Sequence, residues 1–127
     1  MFSHVMLGAD DIAAAKTFYD AALGALGIAQ GVVDERGRLV YATEQGRFLI
    51  TKPINGHPAT GANGGTIGFL AGSAEEVAAW HSAGLANGGT AIEDPPGERL
   101  ATAGRVLYLA YLRDPAGNKV CATYRVR

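Results

Sequence analysis

Two side chains in the sequence combine chemical reactivity with a position on a predicted strand. His4 lies in the apolar run Phe2 to Gly8, and Cys121 lies in the run Lys119 to Val126. An imidazole can act as a general base or a metal ligand, and a thiol becomes a nucleophile when a nearby cation lowers its pKa. Each also has a structural interpretation, because a strand-start histidine can simply be hydrogen-bonded and buried cysteines are mostly inert packing. We take His4 and Cys121 as the candidate catalytic residues.

A second group of residues offers binding rather than reactivity. Three tyrosines lie on predicted strands, where aromatic rings either line a pocket or pack in the core. One arginine flanks a glycine-containing loop, where it could receive an anionic group or remain solvated. One histidine lies in a segment rich in glycine and proline, which is either solvated or able to reach a bound ligand. These candidates are Tyr41, Tyr108, Tyr111, Arg105 and His57.

Composition and motifs exclude several classes of function. The 127 residues include 11 basic and 12 acidic side chains, for a net charge of -1, and neither sign forms a block. Nucleic acids and anionic membranes require concentrated basic charge, so neither is an expected partner. No segment approaches the roughly 18 apolar residues of a membrane span, and a lone cysteine without an apolar leader predicts a cytoplasmic protein. Phosphate-binding glycine loops, serine-nucleophile elbows and paired-cysteine metal motifs are absent from the sequence.

The elements that must position the candidate residues follow the same order twice. In each half, a short apolar strand precedes an amphipathic helix, and three further strands follow it. Asp10 and Asp11 both offer an N-cap for the first helix, and the second begins at a capping box formed by Ser73 and Glu76. Residues 94–104 have the composition of a polar loop. In residues 53–65 the apolar side chains show no regular spacing, which is typical of a linker. The sequence therefore predicts two βαβββ modules.

A shift of 62 positions brings the two halves into correspondence. It places His4 on Thr66, Phe18 on Trp80 and Leu23 on Leu85, which indicates an internal duplication. We therefore expect one domain over residues 1–127. Its first module should span about 1–55, a linker about 53–65 and the second module about 66–127.

This organisation resembles the glyoxalase/bleomycin resistance protein/extradiol dioxygenase superfamily, also called the vicinal oxygen chelate superfamily. The most specific element is the Asp-Pro-Ala-Gly-Asn turn at 114–118 before the last strand, supported by the strand with His4 and the helix containing Phe18 and Tyr19. The resemblance covers nearly the whole chain. It implies an α+β fold in which two βαβββ modules form a curled mixed sheet with a central cup, and it implies a homodimer.

The resemblance also implies where a metal would be held, because metal-binding members take their ligands from the first and last strands of each module. The corresponding positions here are His4, Leu49, Thr66 and Cys121, so Leu49 and Thr66 join the candidate ligand-binding residues. A catalytic divalent metal normally has three or more protein ligands, which one imidazole and one thiol do not provide. We therefore expect a degenerate metal site and no cofactor, with a divalent metal at His4 and Cys121 as the alternative.

Two functions are compatible with these features. One is a glyoxalase-like lyase or isomerase that acts on or binds a small metabolite, electrophilic or thiol-conjugated, in the cup. The alternative is a non-catalytic protein that binds and sequesters a small molecule, as bleomycin resistance proteins do. In both cases the partner is a small-molecule ligand, and we expect His4 and Cys121 to meet on the concave face beside at least one of the three tyrosines.

Overall fold

Two units that each open with a strand and a helix and continue with further strands make up the chain, which a computed structural model describes over residues 1–127. The first unit contains β1 (His4–Gly8), α1 (Ile12–Gly24), β2 (Val32–Val33), β3 (Leu39–Thr43) and β4 (Gly46–Thr51). The second contains β5 (Ile67–Leu70), α2 (Ala74–Ala86), β6 (Thr90–Ala91), β7 (Gly97–Leu100), β8 (Val106–Arg113) and β9 (Lys119–Arg125). The α+β class is confirmed, and the second unit contains one strand more after its helix than the first.

The strands form two mixed sheets that have equivalent topologies. The first has the order β1-β4-β3-β2, and the second has the order β5-β9-β8-β6, with β7 also paired to β8. In each sheet the opening strand runs parallel to the last strand of its unit, β1 to β4 and β5 to β9. Because β1 and β5 both end their sheets, each has one edge without a strand partner.

The two helices show the internal repeat most clearly. The bounds of α2 are those of α1 moved by 62 positions. Both helices begin at a side-chain cap, since Asp11 accepts a hydrogen bond from the Ala14 N–H and Ser73 accepts one from the Glu76 N–H. The Glu76 carboxylate accepts from the Gly72 N–H, one residue before the position expected for a capping box.

The predicted equivalence of Leu23 and Leu85 is not reflected in their burial. Leu23 is buried, whereas Leu85 is 41% exposed. In the last turn of α2 the buried residue is Gly84, where an added Cβ would lie 2.4 Å from the Leu112 side chain and 3.0 Å from Phe18. The second helix thus approaches its neighbours through a glycine, which leaves Leu85 outside the core.

One prediction about the second unit was wrong. Residues 94–104 do not form a continuous polar loop, because they contain strand β7, which pairs antiparallel with β8. Glu98 and Leu100 on this strand are exposed, as is common for an edge strand that faces solvent. Its charged residues and flanking prolines gave it the composition of a loop.

The Asp-Pro-Ala-Gly-Asn turn joins the second unit to the first. Asp114 and Asn118 are the buried polar residues of the fold. One carboxylate oxygen of Asp114 accepts from the N–H groups of Ala116 and Asn118, which closes the turn. The other accepts from the Tyr19 hydroxyl at 2.6 Å, and the Asn118 amide donates to the Gly8 carbonyl at 2.9 Å. The turn therefore connects α1 and β1 to the start of β9.

The linker after β4 is attached to both units. The Ala59 N–H donates to the Asp10 carboxylate at 2.8 Å. At Gly61, an added Cβ would lie 2.5 Å from the Gly117 carbonyl oxygen. Residues 59–61 therefore pack between the start of the first helix and the turn at 114–118.

Neither helix is of the length and hydropathy that a bilayer-spanning segment requires.

Candidate functional site

A cavity of about 370 Å³ lies between the start of β1 and strand β5, and its size is that of a small-molecule site. Its walls come from the N-terminal segment, the end of α1 and the segment after it, the β3–β4 hairpin and β5. Most of the wall is apolar, with polar groups near one end. The apolar lining residues are Phe2, Val5, Leu23, Leu26, Ile28, Tyr41, Phe48, Ile67, Phe69 and Leu70.

Aromatic rings form the inner wall of this cavity. Phe48 and Phe69 make an edge-to-face contact with ring centroids 5.1 Å apart, and this contact bridges the two sheets. Tyr19 packs on Phe48 from the helix side at 4.9 Å. Because Phe48 is 8% exposed and Tyr41 is 3% exposed, both rings belong to the core as well as to the cavity wall.

The hydroxyl of Tyr41 is held by a carboxylate of the first helix. It donates to the Asp20 carboxylate at 2.7 Å, and that carboxylate also accepts from the Gly31 N–H at 2.9 Å and pairs with Lys16. Burial tends to raise the pKa of Asp20, but the hydrogen bonds from Lys16, Gly31 and Tyr41 outweigh it and lower that pKa. Burial and the bond to Asp20 raise the pKa of Tyr41. Tyr41 therefore offers the cavity a ring whose hydroxyl already has a partner.

The polar end of the cavity contains His4 and Arg47. These residues are register partners in the parallel β1–β4 pair, so they occupy neighbouring positions on adjacent strands. Both are exposed, and the His4 Nδ1 lies 2.8 Å from the Ser3 hydroxyl. The Arg47 guanidinium forms no ion pair or hydrogen bond within the chain.

Cys121 lies on the second sheet, on the face opposite the helices. Tyr111 is its register partner on β8, and the Lys119 ammonium lies 4.7 Å from the Tyr111 ring centroid. Burial raises the pKa of the Cys121 thiol, and a hydrogen bond from Thr123 and the charge of Lys119 offset this only in part. These contacts describe a protonated, packed thiol rather than an activated nucleophile.

Gly68 connects the Cys121 face to the cavity. It lines the cavity and is the register partner of Cys121, and a Cβ at this position would lie 3.1 Å from the thiol sulfur. Within one chain, His4 and Cys121 are on different sheets and share no hydrogen bond. Whether they face one ligand stays a prediction.

The other candidate residues are distributed over several environments. Tyr108 pairs with Tyr124 and packs against the hydrophobic core, on the helix side of its sheet. Leu49 is 3% exposed. Thr66 and His57 are exposed, and the exposed Arg105 guanidinium contacts Thr102 in the turn before β8. Of the nine candidates, His4 and Tyr41 line the cavity.

Comparisons with known proteins agree with this architecture. The family model described as "Glyoxalase/Bleomycin resistance protein/Dioxygenase superfamily" matches residues 1–122. The chain belongs to this superfamily. No match was found among curated proteins.

Solved structures of the superfamily include a near relative. A glyoxalase/bleomycin resistance protein from Albidiferax ferrireducens is 57% identical, with a TM-score of 0.94 over 98% of this chain and 99% of that one. A lactoylglutathione lyase from Agrobacterium tumefaciens is 25% identical, with a TM-score of 0.65 over 98% of this chain and 92% of that one. A family enzyme from Burkholderia phytofirmans, at 18% identity and a TM-score of 0.70, covers 96% of each chain and shows the shared fold.

The metal positions of the superfamily can be tested on the strand register. Met6 pairs with Leu49 in the first sheet and Gly68 pairs with Cys121 in the second, so Leu49 and Cys121 occupy equivalent positions in the two units. Leu49 has no donor atom, and Thr66 offers only a neutral hydroxyl. No three His, Cys, Asp or Glu side chains are grouped closely enough to hold a metal ion. The residues present therefore do not fit the divalent metal of the superfamily.

Several cavity residues were missed by the sequence analysis. Arg47, Phe48 and Phe69 were not among the candidates, although they provide the charge and the inner aromatic wall. The available signal was topological, because a βαβββ unit with β1 parallel to β4 places the start of β4 beside His4. Pairing the predicted strands would have identified Arg47.

Proposed function

We propose that the protein binds a small, largely apolar molecule in the cavity between β1 and β5 and does so without metal-dependent catalysis. The observation that carries this proposal is the lining of the cavity, where ten apolar side chains surround a space of about 370 Å³. Ligand sites of this kind are mostly apolar with a few polar groups that orient the ligand.

The chemistry of the remaining residues favours binding over catalysis. Cys121 is packed and its pKa is raised by burial, so it is a poor nucleophile at neutral pH. The superfamily's metal positions retain one imidazole and one thiol among four. His4, at the polar end of the cavity, can give a ligand a directional hydrogen bond.

A fluorescent probe tests binding directly. N-phenylnaphthylamine is neutral and aromatic, and it should bind with a stoichiometry of about one per chain and gain fluorescence in an apolar site. Thr43→Trp would place an indole in the cavity mouth, because Thr43 is an exposed residue of its lining. We expect this variant to weaken probe binding at least roughly fivefold. Thr90→Trp is the matched control, since Thr90 is an exposed strand residue outside the lining.

The outcomes of this test are distinct. Equal weakening by Thr43→Trp and Thr90→Trp, or no binding to the parent protein, would overturn the proposed binding site. Loss restricted to Thr43→Trp would support it.

A glyoxalase-like lyase is the second candidate, and it is favoured by the resemblance to the lyase from Agrobacterium tumefaciens. Elemental analysis of protein purified without chelator, combined with an assay on the hemithioacetal of methylglyoxal and glutathione, separates the two functions. We expect no stoichiometric metal and no turnover. Turnover that depends on a retained metal and is lost in His4→Ala would make the protein a lyase.

A further inference from the structure

The cavity has a charge asymmetry that bears on the chemistry of its ligand. Its polar lining residues are Ser3, His4, Thr43, Gln45 and Arg47, and no carboxylate is among them. Arg47 is therefore the one permanently charged side chain in the lining. Asp20, the carboxylate that accepts from the hydroxyl of the lining residue Tyr41, is paired with Lys16.

Arg47 is available to a ligand. Surface arginines commonly pair with a neighbouring carboxylate, but the ion pairs of this chain involve Lys16, Arg38 and Lys119. Glu44 lies in the turn between β3 and β4, three residues before Arg47, and does not pair with it. The guanidinium thus remains an unneutralised cation at the edge of an apolar cavity, which is an arrangement that complements an anion.

The aromatic and the polar residues of the cavity lining offer a ligand different contacts. Tyr41 contributes its ring, since its hydroxyl donates to Asp20. Polar recognition must therefore come from the other polar residues of the lining, among which Arg47 and His4 occupy neighbouring positions at the starts of β4 and β1. A guanidinium beside an imidazole offers several N–H donors to the oxygens of one acidic group.

We infer that the ligand of this cavity is an amphiphilic anion, with an aromatic or aliphatic body against Phe48, Phe69 and Tyr41 and an acidic head group at Arg47. This inference rests on the proposed function, because it specifies the class of molecule that the same cavity binds. It assigns to Arg47 a role in specificity, which is to select anions over neutral molecules of the same shape.

Two probes with a common aromatic body provide the experiment. Anilinonaphthalene sulfonate is the sulfonated counterpart of N-phenylnaphthylamine, so the pair differs in the anionic group. We expect the parent protein to bind the sulfonate about tenfold more tightly, and Arg47→Gln to remove that preference while changing the affinity for the neutral probe less than about twofold. Arg36→Gln is the control, because Arg36 is exposed, makes no side-chain ion pair and lies outside the cavity lining.

Salt gives an independent measurement of the same preference. At about 0.5 M sodium chloride the sulfonate should bind more weakly while the neutral probe does not, because screening acts on the charged pair. If Arg47→Gln leaves the sulfonate affinity unchanged while Thr43→Trp weakens both probes, the anion preference is wrong and the proposed binding function stands. If neither probe binds the parent protein, the inference and the proposed function both fail.

Discussion

The hydroxyl of Tyr19, on the first helix, donates a hydrogen bond of 2.6 Å to the buried carboxylate of Asp114, at the turn that opens the last strand. The two residues belong to different structural units, so this bond and the Asn118 bond to Gly8 tie the units together. The turn that gave the sequence its most specific resemblance thus has a structural role in this chain.

Removing the Tyr19 hydroxyl should therefore lower stability. We expect Tyr19→Phe to reduce the free energy of unfolding by about 1–3 kcal/mol, because it leaves a buried carboxylate oxygen with one partner fewer. Chemical denaturation monitored by Trp80 fluorescence would measure this change. Tyr124→Phe is the control, since the Tyr124 hydroxyl has no hydrogen-bond partner within the chain, and equal losses in the two variants would contradict the role of the bond to Asp114.

The same tyrosine should make the protein sensitive to alkali. Burial and then the neighbouring Asp114 carboxylate raise the pKa of Tyr19 well above its ordinary value, so the folded state keeps a proton that the unfolded chain releases near pH 10. This contribution to stability is fully present below about pH 10 and is lost above it at about 1.4 kcal/mol per pH unit. Denaturation across this range should show a shallower decline for Tyr19→Phe, and parallel curves would refute the assignment.

Gly31 should not tolerate a side chain. An added Cβ would lie 2.6 Å from the Cζ atom of Tyr41, which is fixed by Asp20. We expect Gly31→Ala to cost about 1–3 kcal/mol of stability. At Gly24, an exposed position in α1, nothing lies within 4 Å of an added Cβ, so Gly24→Ala should be neutral or stabilising. Thermal denaturation of the two variants makes the comparison, and a neutral Gly31→Ala would show that the Tyr41 ring moves.

Cys121 should react slowly in the folded protein. Burial raises the pKa of its thiol, so the reactive thiolate is scarce at neutral pH. We expect modification by dithionitrobenzoate to be at least roughly tenfold slower than in the protein unfolded by guanidinium. Lys119→Met should slow it further, because the ammonium partly offsets the effect of burial. Equal rates before and after unfolding would mean that the thiol is accessible.

Self-association is expected from the open edges of β1 and β5. Both strands lack a partner on one side, and each carries an exposed apolar side chain, Met6 and Leu70. We predict a homodimer by light scattering at micromolar concentration, converted to monomer by Met6→Glu with Leu70→Glu. Leu100→Glu, on the exposed strand β7, should leave the dimer intact. A monomeric parent protein would show that these edges are not used.

Helices were predicted well because their burial is one-sided and their ends carry caps. Phe18 and Trp80 are both fully buried at corresponding positions, the second helix begins at Ser73 as expected, and the first begins at Asp11, one of its two predicted caps. Helical periodicity is a local property that a single segment displays. Strand β7 lacked such a signal, because it is short, charged and exposed.

The faces of the strands were harder to predict than the strands themselves. β3 and β8 have apolar residues on both faces, so alternation does not show which side packs on the helices. The register resolves this, and places Tyr41 and Tyr108 on the helix side and Tyr111 beside Cys121. Candidate sites chosen by residue type alone therefore mixed both faces and left out Arg47, whose relation to His4 depends on pairing across 42 intervening positions.

Two parts of the linker between the units should differ in their tolerance of an inserted peptide. Residues 59–61 are fixed by the bond from Ala59 to Asp10 and by the packing of Gly61 on Gly117. At Gly56 an added Cβ meets nothing within 4 Å, and His57 beside it is exposed. A peptide tag inserted after Gly56 should therefore be displayed on the surface without unfolding the protein, whereas the same tag inserted after Thr60 should force the two units apart.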